Sequence, residues 1–295
     1  MRPVHVLLAI LVAVIWGIAF VISKIGLESF TPPQLTALRF MVAAMAALWL
    51  PRPKISWIAL VSIGLTVFTG QFLLQFFGIA KGMPAGLTAV VVQTQALFTV
   101  LFAALFIGDK PSIQQLIGML TAFVGLATIG LTLGSSVPMI AFALTLASAV
   151  SWASGNVLVK QLPKTNMLHL MVWASLVPPI PALAISFMLD GPGALLPAIA
   201  GASWLGLMAP LYLGLLASVF AYAAWGYLLQ KYSTGAVAPF ALLAPAIGAV
   251  ASSFVFGESF GSVRLAGMAC MVVGLATVVI PRQTAAFVFG RFGFR

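Results

Sequence analysis

The chain has 295 residues, is 62% hydrophobic and only 6% charged, and carries a formal net charge of +10. Soluble domains average about 25% charged residues, so this composition excludes a water-soluble globule. The Lys and Arg residues stand singly between apolar runs, which also excludes a nucleic-acid binder that tracks phosphates.

What remains is an all-α polytopic membrane protein, whose apolar runs reach the roughly 20 residues that a membrane-crossing helix needs. The first run, 4–23, follows a basic start. It is too long for a signal-peptide core and no small-x-small cleavage site follows, so it reads as a retained first helix. Glycine, proline and charge then bound segments 33–50, 56–79, 84–107 and 112–133, followed by 137–158, 167–189, 203–229, 235–256 and 263–280. Links such as "PRPK" at 51–54 and "GDKPS" at 108–112 are short and force neighbouring helices antiparallel. Ten crossings put both termini on one side. With that side cytoplasmic, the inner segments hold Arg2, Arg52, Lys54, Lys110, Lys160, Lys164, Lys231, Arg282, Arg291 and Arg295, against Lys24, Lys81 and Arg264 outside. The positive-inside rule therefore predicts cytoplasmic N- and C-termini.

The chain repeats itself. "GMLTAFVGLAT" at 118–128 and "GMACMVVGLAT" at 267–277 match at seven of eleven positions, at an offset of 149. The same offset pairs Gly86 with Gly235, Ala89 with Ala238, and "GDKPS" with "GESFG", so that Asp109 stands opposite Glu258. Near the starts of the halves the offset is 136, pairing Trp16 with Trp152 and Lys24 with Lys160, and "SW" recurs at 56–57 and 203–204. An insertion at 190–201 accounts for the difference. Two five-helix units are expected, residues 1–136 and 137–281, followed by a cytoplasmic tail at 282–295. An odd number of helices inverts the second unit, a layout in which transporters place substrate near the midplane between the halves.

This plan resembles the drug/metabolite transporter superfamily, on Trp16 and Lys24 in the first helix and "GDKPS" after the fourth. More narrowly it is similar to the EamA-type exporters over almost the whole chain, and its aromatic-rich profile is closest to the YddG-type aromatic amino acid exporters. The resemblance implies export of metabolites or amino acids from the cytoplasm, from the cell inner membrane. The alternatives are a carrier of another solute, such as a sugar conjugate, and a membrane structural or lipid-handling protein.

No catalytic, metal or cofactor arrangement is found. His5 and His169 lie near helix ends without Cys or Asp partners at metal or triad spacing, and Cys270 stands alone in an apolar run. The four acids, Glu28, Asp109, Asp190 and Glu258, all map to connections. A buried carboxylate is the usual proton relay and counter-ion for cationic cargo, and this sequence departs from the small multidrug members of the superfamily there.

The midplane polar groups are neutral instead. Gln71 and Gln75 share a helix face beside Phe72 and Phe76, and Trp152 and Asn156 form an i, i+4 pair. Tyr222 and Trp225 stand at the corresponding level of the eighth helix. Gln93 and Gln95 are two apart, so an α-helix would point them different ways. An amide in hydrocarbon needs a partner or water. Together with Trp16, this set is expected to line a wet cavity suited to a small zwitterion or an aromatic side chain. Lys24 and Arg39 are the charge-contact candidates. Arg39, about 9 Å into the second helix at 1.5 Å per residue, is expected to snorkel outward and pair with Glu28 or lipid headgroups; the alternative is a substrate carboxylate. Pro178, Pro179 and Pro181 in the seventh helix, and Pro239 and Pro245 in the ninth, mark hinges or fixed kinks. The expected partners are a small-molecule substrate and membrane lipid, with no nucleic acid, and the expected unit is a monomer or weak homodimer.

Overall fold

The structure, a computed structural model, describes residues 1–132, 137–232 and 234–279. The expected tail at 282–295 lies outside them. Among the described residues the chain is helical, without strands. In order the helices are α1 (Pro3–Gly26), α2 (32–48), α3 (Trp57–Ala80), α4 (Ala85–Ile107), α5 (Ile113–Gly130), α6 (Met139–Lys160), α7 (Met167–Asp190), α8 (Trp204–Lys231), α9 (234–256) and α10 (Ser262–Val279). Within the 190–201 insertion a short helix forms at Leu195–Gly201.

Nine helices among the described residues are long and apolar enough to cross a membrane. Helix α2 is shorter, an α-helix Pro32–Ala44 continued by a 3-10 turn Met45–Leu48. The 3-10 rise of about 2.0 Å stretches it to roughly 27 Å, close to the hydrocarbon thickness of about 30 Å.

The repeated motifs are the punctuation of these helices. Ser56 and Ser203, the serines of the two "SW" pairs, are the N-caps of α3 and α8, accepting from the Ala59 and Gly206 amides at 3.1 and 3.0 Å. Gly108 and Gly257 end α4 and α9 in the left-handed region, with φ of 75° and 65°. A residue with a side chain is strained there, so the glycine that opens each "GDKPS"-type stretch is the stop signal.

The "GM…GLAT" stretches pack on each other. Helices α5 and α10 cross with their glycines interleaved, so that a Cβ placed on Gly125 would lie 2.5 Å from the Gly267 carbonyl oxygen. One placed on Gly118 would lie 2.7 Å from the Gly274 oxygen. Backbone meets backbone here, the close approach that small residues permit between membrane helices.

Two ion pairs display the inversion. Lys24, at the end of α1, bonds Glu258 beyond α9 at 2.9 Å. The same Glu258 accepts from the Ala85 and Gly86 amides at the start of α4. Asp109, beyond the far end of α4, pairs with Lys160 at the end of α6. The two pairs therefore lie at opposite ends of the bundle, and each joins a lysine of one repeat to an acid of the other.

Candidate substrate cavity

A cavity of about 180 Å³ lies between the repeats. That is space for on the order of ten waters. Helix α1 offers it Trp16, Ala19, Phe20 and Ser23, spaced i, i+3, i+4 and i+7 along one face. Arg39 enters from α2, Gln71, Phe72 and Gln75 from α3, and Gln93 and Gln95 from α4. Trp152 of α6, Tyr222 of α8 and the small Ala241 and Ala244 of α9 add to the wall.

The backbone is irregular where it meets this cavity. Helix α3 widens to a π-helix at Gly64–Gly70, directly before Gln71, and α8 does the same at Tyr212–Phe220, two residues before Tyr222. Helix α4 tightens to a 3-10 turn at Val92–Thr94, and α9 breaks at Leu242 between Thr234–Ala241 and Leu243–Phe256. At the offset of 149, positions 92–94 correspond to 241–243, so α4 and α9 depart from α geometry at equivalent places. Interrupted helices at a repeat interface are where transporters form binding sites, and π-segments are frequent at functional sites.

The 3-10 turn corrects the expectation for Gln93 and Gln95. Residues two apart are separated by about 160° in an α-helix but by about 120° at three residues per turn. Both glutamines reach the cavity, and Gln95 Nε2 donates to Gln93 Oε1 at 3.3 Å.

Arg39 also differs from expectation. It does not snorkel outward to Glu28; it is 4% exposed and lines the cavity. One face of the guanidinium lies 3.8 Å from the centre of the Phe72 ring, and Nη2 donates to Ser218 Oγ at 3.2 Å. A cation–π stack and a hydroxyl acceptor deep in the bundle hold it more specifically than a lipid surface does. Among the described residues, three buried side-chain polar atoms have no hydrogen-bond partner: Arg39 Nε, Gln71 Oε1 and Gln95 Oε1. All three residues line this cavity.

Other predicted residues lie beside the cavity. Phe76 is fully buried in the apolar cluster next to Phe72. Asn156 turns away and donates to Thr99 Oγ1 at 3.1 Å, tying α6 to α4. Trp225 backs Trp16 at 5.3 Å between ring centres, while Trp16 Nε1 donates to the Ala217 carbonyl at 3.0 Å. Lys24 sits at the rim on Glu258. Burial pushes the Glu258 carboxyl up, but bonds from Ser252, Lys24, Gly86 and Ala85 together hold it below its ordinary value. Pro178, Pro179 and Pro181 lie where α7 restarts after a break between Met167–Ala174 and Pro179–Asp190. Pro239 and Pro245 bracket the α9 break, whose flanking Ala241 and Ala244 face the cavity.

Phe20 and Ser23 escape a reading based on polar or aromatic pairs, although their helical spacing from Trp16 is a usable signal. Ser218 has no comparable signal. Its role depends on the π-turn, in which its hydroxyl donates five residues back to the Leu213 carbonyl at 2.8 Å.

The EamA-like transporter family matches residues 4–131 and again 139–280. A probable amino-acid metabolite efflux pump of Salmonella typhimurium (strain LT2) is 37% identical over 275 residues, spanning 91% of this chain and 92% of that protein. A protein of the same description from Escherichia coli (strain K12) is 36% identical, with the same coverage. A probable terminal-alkyne amino-acid exporter of Streptantibioticus cattleyicolor is 26% identical over 93% of this chain and 92% of its own length. A solved crystal structure superposes with a TM-score of 0.62 at 17% identity, covering 100% of both chains, and at that identity it shows the fold alone.

Proposed function

This chain belongs to the EamA-like transporter family, and from that premise we propose that it exports small metabolites, amino acids first among them, through the cavity between its repeats. It is a multi-pass membrane transporter and not an enzyme. The observation that carries the cavity assignment is the set of unpartnered polar atoms on Arg39, Gln71 and Gln95, three residues that line one cavity. Such groups are costly in a packed interior and are useful where a polar cargo meets them. The rings of Trp16, Phe72, Trp152 and Tyr222 give that cargo an apolar wall, which favours neutral amino acids with aromatic or large apolar side chains.

The inner membrane, with both termini cytoplasmic, is the location that fits ten basic inner residues against three outer ones. In that orientation Lys24–Glu258 closes the outer end and Lys160–Asp109 lies at the inner end. The outer pair is the more enclosed, with side chains 33% and 9% exposed against 48% and 54% for the inner one. The mechanism that follows is alternating access. The halves, 1–136 and 137–281, rock about the cavity, the rim pairs part in turn, and the α9 break between Pro239 and Pro245 gives locally. Because the cavity forms within one chain, a monomer suffices for transport.

The test is counterflow of each of the twenty amino acids into proteoliposomes holding the full chain. Saturable exchange of at least one neutral amino acid is expected. Saturable exchange of none of them removes this reading.

A further inference from the structure

We propose that Arg39 is a carboxylate receptor, so that the cavity takes solutes bearing a free carboxylate and docks that group on the guanidinium fork. The proposal rests on the transport reading above and assigns the chemistry at its centre.

Arginine carries its charge at physiological pH, and a buried charge without a counter-ion is strongly unfavourable. Among the described residues, no protein anion compensates Arg39. The ion pairs among the described residues join Lys24 to Glu258 and Lys160 to Asp109, Asp190 accepts from Thr31 and Ser186, and Glu28 is exposed at the end of α1. Arg39 has instead the π-face of Phe72 and the oxygen of Ser218. That hydroxyl proton is already given to Leu213, so Ser218 offers the guanidinium a lone pair and nothing else. Ring and hydroxyl fix the plane of the guanidinium while Nε is left without a hydrogen-bond partner. A planar fork held by one corner is the geometry that grips a carboxylate through two parallel bonds.

The complement lies in the same cavity. Gln71 Nε2 is directed at Gln75 Oε1 at 3.5 Å and Gln95 Nε2 at Gln93, which leaves the oxygens of Gln71 and Gln95 without donors. One unpartnered cationic donor and two unpartnered acceptors are what a zwitterion satisfies: carboxylate to Arg39, ammonium to the amide oxygens. A cationic amine lacking the carboxylate meets the guanidinium with like charge, and a dicarboxylate brings a second anion that no cavity cation balances.

The test is competition for counterflow of tritiated L-phenylalanine, using hydrocinnamate, phenethylamine and L-phenylalaninamide. If the wild type carries leucine instead, the matching series is 4-methylpentanoate, isoamylamine and leucinamide. Hydrocinnamate is expected to compete, and the two compounds without a carboxylate to be about 30-fold weaker or worse. Arg39→Gln is expected to raise KM by a similar factor while melting no lower than the wild type, because it removes an uncompensated buried charge. Arg39→Lys keeps the charge without the fork and is expected to fall between them. The receptor is overturned if phenethylamine competes as well as phenylalanine, if Arg39→Gln transports with unchanged KM, or if Arg39→Gln and Arg39→Lys both melt far below the wild type, which marks Arg39 as structural. Each of those outcomes leaves the transport reading standing. Saturable flux of no amino acid by the wild type removes both.

Discussion

Helices α5 and α10 run as unbroken α-helices from Ile113 to Gly130 and from Ser262 to Val279, whereas α3, α4, α8 and α9 each leave α geometry beside the cavity. Both groups of helices are built by the same duplication. The seam between α5 and α10 uses Gly118, Gly125, Gly267 and Gly274 to bring backbones together and leaves no room. The cavity helices carry amides, rings and one arginine, and keep polar atoms unpartnered. Close packing is satisfied by one arrangement, while an open polar layer needs a ligand or water to complete it. In the proposed mechanism the seam is the fixed element and the distorted helices are the working one.

Breaking the seam has the largest expected effect. Even the Cβ of Gly125→Ala meets the Gly267 oxygen, which is backbone and cannot swing aside. Overpacking that side chains can absorb costs about 1–3 kcal/mol. Gly125→Leu exceeds that, and the expected result is loss of the monodisperse species by fluorescence-detected size exclusion. The cavity should respond in the opposite way. Combining Gln75→Leu with Trp152→Ala is expected to cut amino-acid flux by about tenfold or more, with a melting temperature close to that of the wild type. Indifference of flux would return those residues to helix packing.

The rim pairs are held together by smaller energies. The Glu258 carboxyl is held below its ordinary value in the folded chain, against about 4.3 unfolded. Its stabilising effect is thus complete above that unfolded value and is lost as pH falls through the lower folded one. A melting curve taken from pH 6 down to pH 3 should show a decline that Glu258→Gln largely removes. The smallest effect is expected at the inner rim. Lys160–Asp109 is exposed on both sides, and Asp109→Asn should change stability by no more than about 0.5 kcal/mol, readable as a melting shift of a degree or two.

The repeats explain which of these features can be read from sequence. Trp16, Gln71, Gln75, Trp152 and Tyr222 are legible as cavity residues because polar and aromatic types at helical spacing are rare in an apolar chain. The seam is legible because glycine seven residues apart recurs unchanged. The joint arrival of Gln93 and Gln95 was not legible, since it depends on a local 3-10 turn with no proline or glycine at Val92–Thr94 to announce it. The inward course of Arg39 is hidden from the sequence for a similar reason. Its depth along α2 follows from counting residues, but its inward direction depends on Phe72 and on a hydroxyl presented by a π-turn in the other repeat. A pairing across 179 residues leaves no local pattern.

In the proposed mechanism, transport resides in the cavity layer. It is tested most directly by counterflow of a labelled neutral amino acid in proteoliposomes matched for folded protein, comparing the wild type with Gln75→Leu/Trp152→Ala. Saturable flux in the wild type and its loss in the double variant, at an unchanged melting temperature, is the predicted result. Equal flux from the two proteins would contradict it.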